Sequence, residues 1–167
     1  VGSALSLSPL NVIAYEKAAH ELITELFEGT SEARARIVQC DVEQGRLEEG
    51  QRCARGIVGD FAKRAFRRPV TDGELDSVLT PYRTAEEVGA TRTEGLKYSL
   101  AAVLISPYFV FKVELDEDPT STEPRRLSAY ELATRLSYTL WSTLPDDALF
   151  AAAESGELTT DEGLSAQ

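Results

Sequence analysis

The stretch Gln51–Thr71, QRCARGIVGDFAKRAFRRPVT, decides the fold. Cys53, Ile57, Phe61 and Ala65 recur at every fourth position, and Ala54, Val58, Ala62 and Phe66 form the adjacent row. At ~100° per residue the two rows cover rather more than half of a helix circumference. Arg52, Asp60, Lys63 and Arg67 share the remaining stripe with Gly56 and Gly59. So wide an apolar face predicts a helix over Gln51–Arg67 that is contacted on several sides, the centre of the fold. Pro69 stops it by pushing Arg68 out of the helical region. Thr71 then opens a new helix, with Glu74 three residues on completing a capping box.

Toward the N-terminus, Asp41–Gly50 is polar, contains two glycines and is expected to be a surface loop. Ile37-Val38 is the one place where a short extended piece is expected. Ser8-Pro9 opens a first helix as N-cap and first-turn proline, with Tyr15, Ala18, Leu22, Ile23 and Leu26 at helical spacing and Gly29 at its end. Toward the C-terminus, Leu75, Val78, Leu79 and Tyr82 form a buried stripe that Pro81 kinks or ends early. Thr91 and Glu94 repeat the capping box ahead of Leu96, Leu100, Val103 and Leu104, and Ser106-Pro107 breaks that helix. Tyr108–Phe111 is apolar and aromatic and is expected inside the fold. Ser128 and Glu131 make a third box, followed by Leu132, Leu136 and Leu140 with Ala133, and by Trp141, expected in the core. Pro145-Asp146-Asp147 starts a short helix closed by Gly156, and Thr159–Glu162 begins another. The expected class is all-α, an irregular bundle of five or six helices with a central helix near 51–67 and little or no sheet.

Composition narrows the function classes. In 167 residues there are 28 Asp and Glu against 17 Lys and Arg, a net charge of −11. That balance disfavours general nucleic-acid or anionic-membrane binding. No apolar run approaches the ~20 residues that span a bilayer. With a single histidine, His20, and two cysteines, multi-histidine zinc sites, a CxxCH haem attachment and histidine-based triads lack their residues. No metal ligands, cofactor-binding residues or catalytic residues are expected in this segment. His20, among Ala18, Ala19 and Glu21, is expected to be structural or solvent-facing. There is no methionine, and the sequence starts Val1-Gly2-Ser3. An excised or processed piece of a longer polypeptide is therefore expected.

Two stretches resemble known families. CARGIVGDFAKRAFRRPVTDGEL with SLAAVLISPYFVFKVEL, within Cys53–Glu114, is similar to one domain of unknown function. RRLSAYELATRLSYTLWSTLPDDALFAAAESGEL, Arg126–Leu158, is similar to the start of another. Such domains stand side by side in large, typically exported proteins of planctomycetes and myxobacteria. Some of those proteins carry cytochrome-c-like or carbohydrate-binding modules elsewhere in the chain. LSPLNVIAYEKAAHELI resembles the end of a preceding module. The resemblance implies three parts: 1–29, the end of a preceding module; 30–115, a central helical module; and 126–167, the start of a following module. The acidic, proline-containing composition between the last two makes 116–125 a linker or loop. The resemblance also implies export, and partners among the other domains of the same polypeptide. No haem-attachment motif is present, so no cytochrome function carries over.

Export makes a Cys40–Cys53 disulfide the expected state of the only two thiols, with free thiols as the alternative. The cations between Arg52 and Arg68, Arg64, Arg67 and Arg68 foremost, form either an anion site or internal salt bridges with Asp41–Glu49 and Glu114–Asp118. Internal pairing is the expectation. Asp146, Asp147, Glu131 and Glu154 offer carboxylates for acid–base hydrolysis, but first-turn helix roles are expected. Ser106 lacks a nucleophile-elbow setting. The expected function is a non-catalytic structural or interaction module of an exported multidomain protein. The alternatives are part of a periplasmic hydrolase or oxidoreductase with active residues partly elsewhere, and a polysaccharide- or cytochrome-binding module.

Overall fold

In the computed structural model the described residues are 8–29, 32–112, 114, 120 and 125–166. Among them are ten α-helices, one 3₁₀ turn (Glu157–Thr159) and no strand. The helices are α1 (Pro9–Glu28), α2 (Glu32–Ile37), α3 (Leu47–Phe66), α4 (Asp72–Val78), α5 (Thr80–Glu87), α6 (Arg92–Ile105), α7 (Pro107–Val110), α8 (Ala129–Trp141), α9 (Asp147–Ser155) and α10 (Asp161–Ala166). The protein is all-α, as its periodicity implies. It has more helices than five or six because proline and serine punctuation cuts it into short pieces. The expected 116–125 linker lies largely outside the described residues.

The chain divides into two compact units, Val1–Phe66 with Val70–Lys112, and Arg67–Pro69 with Val113–Gln167. In the first, α6 packs on α1, α3, α4 and α5. Its apolar side chains Leu96, Leu100 and Val103 are fully buried together with Val58, Ala54 and Ala62 of α3. Phe66 continues the α3 row and is buried, its ring 5.4 Å from that of Tyr108. In the second, Ala133, Ala152, Ala153 and Leu158 form a small core, with Leu136 and Leu149 packed against it.

All three capping boxes form. The hydroxyls of Thr71, Thr91 and Ser128 accept the amides of Glu74, Glu94 and Glu131 at 3.1–3.3 Å, and those carboxylates accept the cap amides at 2.7–3.0 Å. Hydrogen bonding to Thr91 holds the Glu94 carboxyl below its ordinary range. Pro81 falls in the first turn of α5, where its missing N–H costs nothing, so α4 and α5 are separate helices.

Several local expectations are corrected. Ile37 closes helix α2 and is not extended. An acid in the first turn and two arginines in the last suit the macrodipole, and Arg36 pairs with Glu32 at 2.7 Å. The central helix begins at Leu47, four residues before the expected start, because Glu49 folds back to accept the Arg46 amide at 2.9 Å. Arg67 is not on the solvent stripe. It follows the last turn of α3 at φ 61° and is buried. On α1 the buried residues are Ala19, Ile23 and Phe27, while Tyr15 and Leu22 are exposed. Leu140 and Trp141 are not core. They lie 64% and 75% exposed at the end of α8, past the turns that carry Ala133 and Ser137 inward.

Candidate functional site at the disulfide-closed loop

Cys40 and Cys53 are joined, with their Cα atoms 6.0 Å apart. The bond ties the segment before α3 to that helix's second turn. Inside the closed loop, Asp41 accepts the Glu43 amide on its side chain at 2.9 Å, and Gly45 takes a left-handed φ of 76° that suits glycine.

The loop carries two residues that reach elements fifty positions away. Val42 is buried, and its carbonyl accepts a hydrogen bond from Arg92 Nη1 at 3.1 Å. Glu43 Oε1 accepts both the amide (2.8 Å) and the hydroxyl (2.9 Å) of Thr93, in the first turn of α6. A carboxylate at a helix N-terminus answers a free amide and the positive end of the dipole. Gly50 makes this approach possible. A Cβ there would lie 2.5 Å from the Val42 carbonyl and 3.0 Å from Arg92 Nη1.

Behind Arg92 lies a polar node. Its Nε is 3.9 Å from Glu86 Oε1, with both side chains about one-fifth exposed or less. Glu86 Oε2 accepts from Gln51 Nε2 of α3 at 2.9 Å. The Tyr82 hydroxyl and Glu86 Oε1 are buried without a hydrogen-bond partner of good geometry. Burial, and then the neighbouring Glu86 carboxylate, push the Tyr82 phenol up to about 12. The Tyr82 amide donates to the buried Ser99 hydroxyl at 3.2 Å, which ties the first turn of α5 to α6.

Two open hollows flank the node. One, about 430 Å³, is lined by Gln51, Arg52, Arg55, Asp76, Tyr82 and Arg83. Three of its charges pair: Arg55 bonds Asp76 at 2.7 Å and Asp72 at 2.8 Å, and Arg83 reaches Asp76 at 3.1 Å. The Asp76 bond above all holds the Arg55 guanidinium up, and Asp76 is held down in turn. The other, about 540 Å³, is lined by Phe27, Arg34, Val38, Cys40, Asp41 and Thr93. The Phe27 ring meets the Arg34 and Lys97 cations, each 5.3 Å from its centroid. Among the described residues no three His, Cys, Asp or Glu are placed to hold a metal ion.

The other residues singled out in the sequence scatter. Arg64 is exposed in the last turn of α3, Arg67 is buried just beyond it, and Arg68 Nη1 donates to the Pro69 carbonyl at 2.9 Å. Arg55 of the same basic stretch pairs with α4 acids and not with Asp41–Glu49, while Glu114 is taken by Arg135 at 2.7 and 2.8 Å. His20 stacks edge-on against Tyr98 at 5.5 Å. Asp146 caps α9 by accepting the Leu149 amide, and Ser106 caps α7. Glu131 is bound by Arg125 at 2.7 and 2.9 Å, and this guanidinium holds its carboxyl down at about 2.

Two segments of the chain match described families. Residues 53–114 match PSD5, a protein of unknown function (DUF1595). Residues 127–167 match PSD4, likewise a protein of unknown function (DUF1592). No curated protein and no solved structure matches the chain. The PSD5 match contains Cys53, Tyr82, Glu86, Arg92 and Thr93, while Cys40, Val42, Glu43 and Gly50 precede it. The disulfide and the loop contacts therefore cross its N-terminal boundary. Thr71 and Thr91 cap helices within the PSD5 match, and Ser128 within the PSD4 match. The Tyr82–Glu86–Arg92 node and the contacts that the loop makes with α6 were missed by reading the sequence. Tyr82 registered only as one more residue of an apolar stripe.

Proposed function

We propose that the chain is a non-catalytic structural or interaction module of an exported multidomain protein, whose partners are the other domains of the same polypeptide. The observation that supports it is the use already made of two of the candidate acids. Glu131 and Asp146 each accept an amide at a helix start, as Glu43, Glu74 and Glu94 do elsewhere. A carboxylate committed to a cap is not poised for proton transfer, which needs a group directed at a substrate. The disulfide suits an oxidising compartment, hence export. Among the described residues no helix is long and apolar enough to cross a membrane. Arg64, Arg67 and Arg68 act in this proposal as braces and not as an anion site. No cofactor is assigned to the segment.

The test is an assay of the purified chain against ester and glycoside substrates. Turnover lost on Asp146→Asn or His20→Ala would replace the proposal with the hydrolase alternative. Phosphate or a sulfated glycan that raises the melting temperature, with the rise lost in Arg67→Ala and Arg68→Ala, would make the basic residues an anion site. A second reading, polysaccharide binding, is favoured by the exposed Trp141 beside Leu140. Saturable quenching of Trp141 fluorescence by a soluble polysaccharide would support it.

A further inference from the structure

We propose that the Cys40–Cys53 bond is a redox latch. Oxidised, it clamps the 41–46 loop over the start of α6. Reduced by a dithiol, it lets the loop leave while the helical unit stays folded. The inference stands apart from the non-catalytic proposal, since it requires only the loop and its contacts.

Three observations carry it. The bond is reachable: Cys40 is exposed and borders the open 540 Å³ hollow, whereas Cys53 is half-buried against the core. The loop has little backbone structure of its own, with Gln44 to Asp41 at 3.3 Å bridging its first turn. Its hold on α6 runs through the Val42 carbonyl on Arg92 and the Glu43 carboxylate on Thr93. With α3 packed on α6 the loop is anchored at Leu47 on one side, and the cross-link at Cys40 adds the second anchor that holds its other end close. By contrast, α3 and α6 meet through fully buried Val58, Leu96 and Leu100, a core to which Val42 is the one residue of the 41–46 loop that contributes.

The chemistry balances with a dithiol reductant such as dithiothreitol or a dithiol oxidoreductase. One reductant thiolate attacks the accessible Cys40 sulfur, forming a mixed disulfide and expelling the Cys53 thiolate, which takes a proton. The second reductant thiol then attacks the mixed disulfide and releases Cys40 as a thiol. The reductant leaves as its own disulfide, having given up two electrons and two protons.

The Thr93 amide is a built-in reporter. Its acceptor is Glu43 in the loop, while the neighbouring Glu94 and Gly95 amides bond to Thr91. Native-state hydrogen exchange by NMR on the 167-residue chain, oxidised and in dithiothreitol without denaturant, tests the latch. Reduction should speed Thr93 exchange by about tenfold or more, to near the rate of an unprotected amide, while Leu100 and Val103 stay protected, faster only by the global destabilisation that losing the cross-link brings. In the oxidised protein, Glu43→Ala should speed Thr93 alone. The latch is overturned by a bond that dithiothreitol cannot reduce in the folded protein, or by unchanged Thr93 protection after reduction. It is equally overturned by loss of protection at Leu100 and Val103 together with Thr93, or by a Glu43→Ala variant that leaves Thr93 unchanged.

Discussion

Gly50 and Gly56 sit on the same helix and should respond to alanine with opposite signs. Alanine ordinarily stabilises a helix interior by about 0.5–1 kcal/mol over glycine. At Gly56 nothing lies within 4 Å of an added Cβ, so Gly56→Ala should gain that amount. At Gly50 the added carbon would stand 2.5 Å from the Val42 carbonyl, a backbone atom that cannot turn aside. Gly50→Ala should therefore cost about 1–3 kcal/mol through overpacking. Urea unfolding of the two variants checks the reversal. Tyr82 offers a second test at this scale. Its hydroxyl is buried without a good partner, and such a group costs about 1–3 kcal/mol to strand. Tyr82→Phe should thus be neutral or stabilising by about 1 kcal/mol. Folding raises the phenol to about 12, so ionisation leaves the stability untouched below pH 10. As pH rises from 10 toward 12 the wild type loses stability, since the unfolded chain ionises first. The phenylalanine variant should show a shallower alkaline loss of stability.

At the scale of elements, helix starts do much of the specifying. Thr91→Ala removes the hydroxyl that holds the Glu94 amide at 3.1 Å and should cost about 1 kcal/mol in thermal melts. In α8 the box is reinforced by Arg125, which holds Glu131 down to about 2 from an ordinary 4.5. The depressed group contributes stability above pH 4.5 that is lost as pH falls toward 2. Arg125→Ala should move Glu131 back toward its ordinary range, followed by carboxyl carbon NMR. After screening at this partly exposed pair, the cost at neutral pH should be about 1 kcal/mol. These starts were legible because a capping box is written within four residues, and Thr71, Thr91 and Ser128 all obey it. The width of the α3 face was legible for the same reason, being a repeat along one helix. The start of that helix was not, since two glycines and several charges before Gln51 look like a loop until Glu49 folds back on Arg46. The Tyr82–Glu86–Arg92 node was less legible still. Its partners come from α3, α5, α6 and the loop, and no local pattern links Glu43 to Thr93.

Over the whole molecule, the two units differ in what holds them. The first buries Tyr82, Leu96, Leu100, Val58 and Val103 almost completely and is cross-linked. The second relies on Ala133, Ala152, Ala153 and Leu158, mostly methyl groups, with the tilted rings of Tyr130 and Phe150 6.5 Å apart. Burying apolar area contributes roughly 25 cal/mol per Å², so alanines give little against the entropy of ordering each residue. A core in a segment under ~70 residues seldom supplies more than about 3–5 kcal/mol even when well filled. A chain of residues 8–112 should therefore fold alone, giving a helical dichroism spectrum and one cooperative melt. Reduction should lower its stability by about 3 kcal/mol, the chain-entropy value for a short cross-linked loop, without unfolding it. A chain of residues 125–167 should have much weaker helical dichroism than its share of the intact protein and no cooperative transition. Separate expression of the two, with the reduced and oxidised forms of the first compared by calorimetry, decides the matter. A sharp melt in the shorter chain would mean that its alanine core and its three capped starts, at Ser128, Asp146 and Thr160, suffice by themselves.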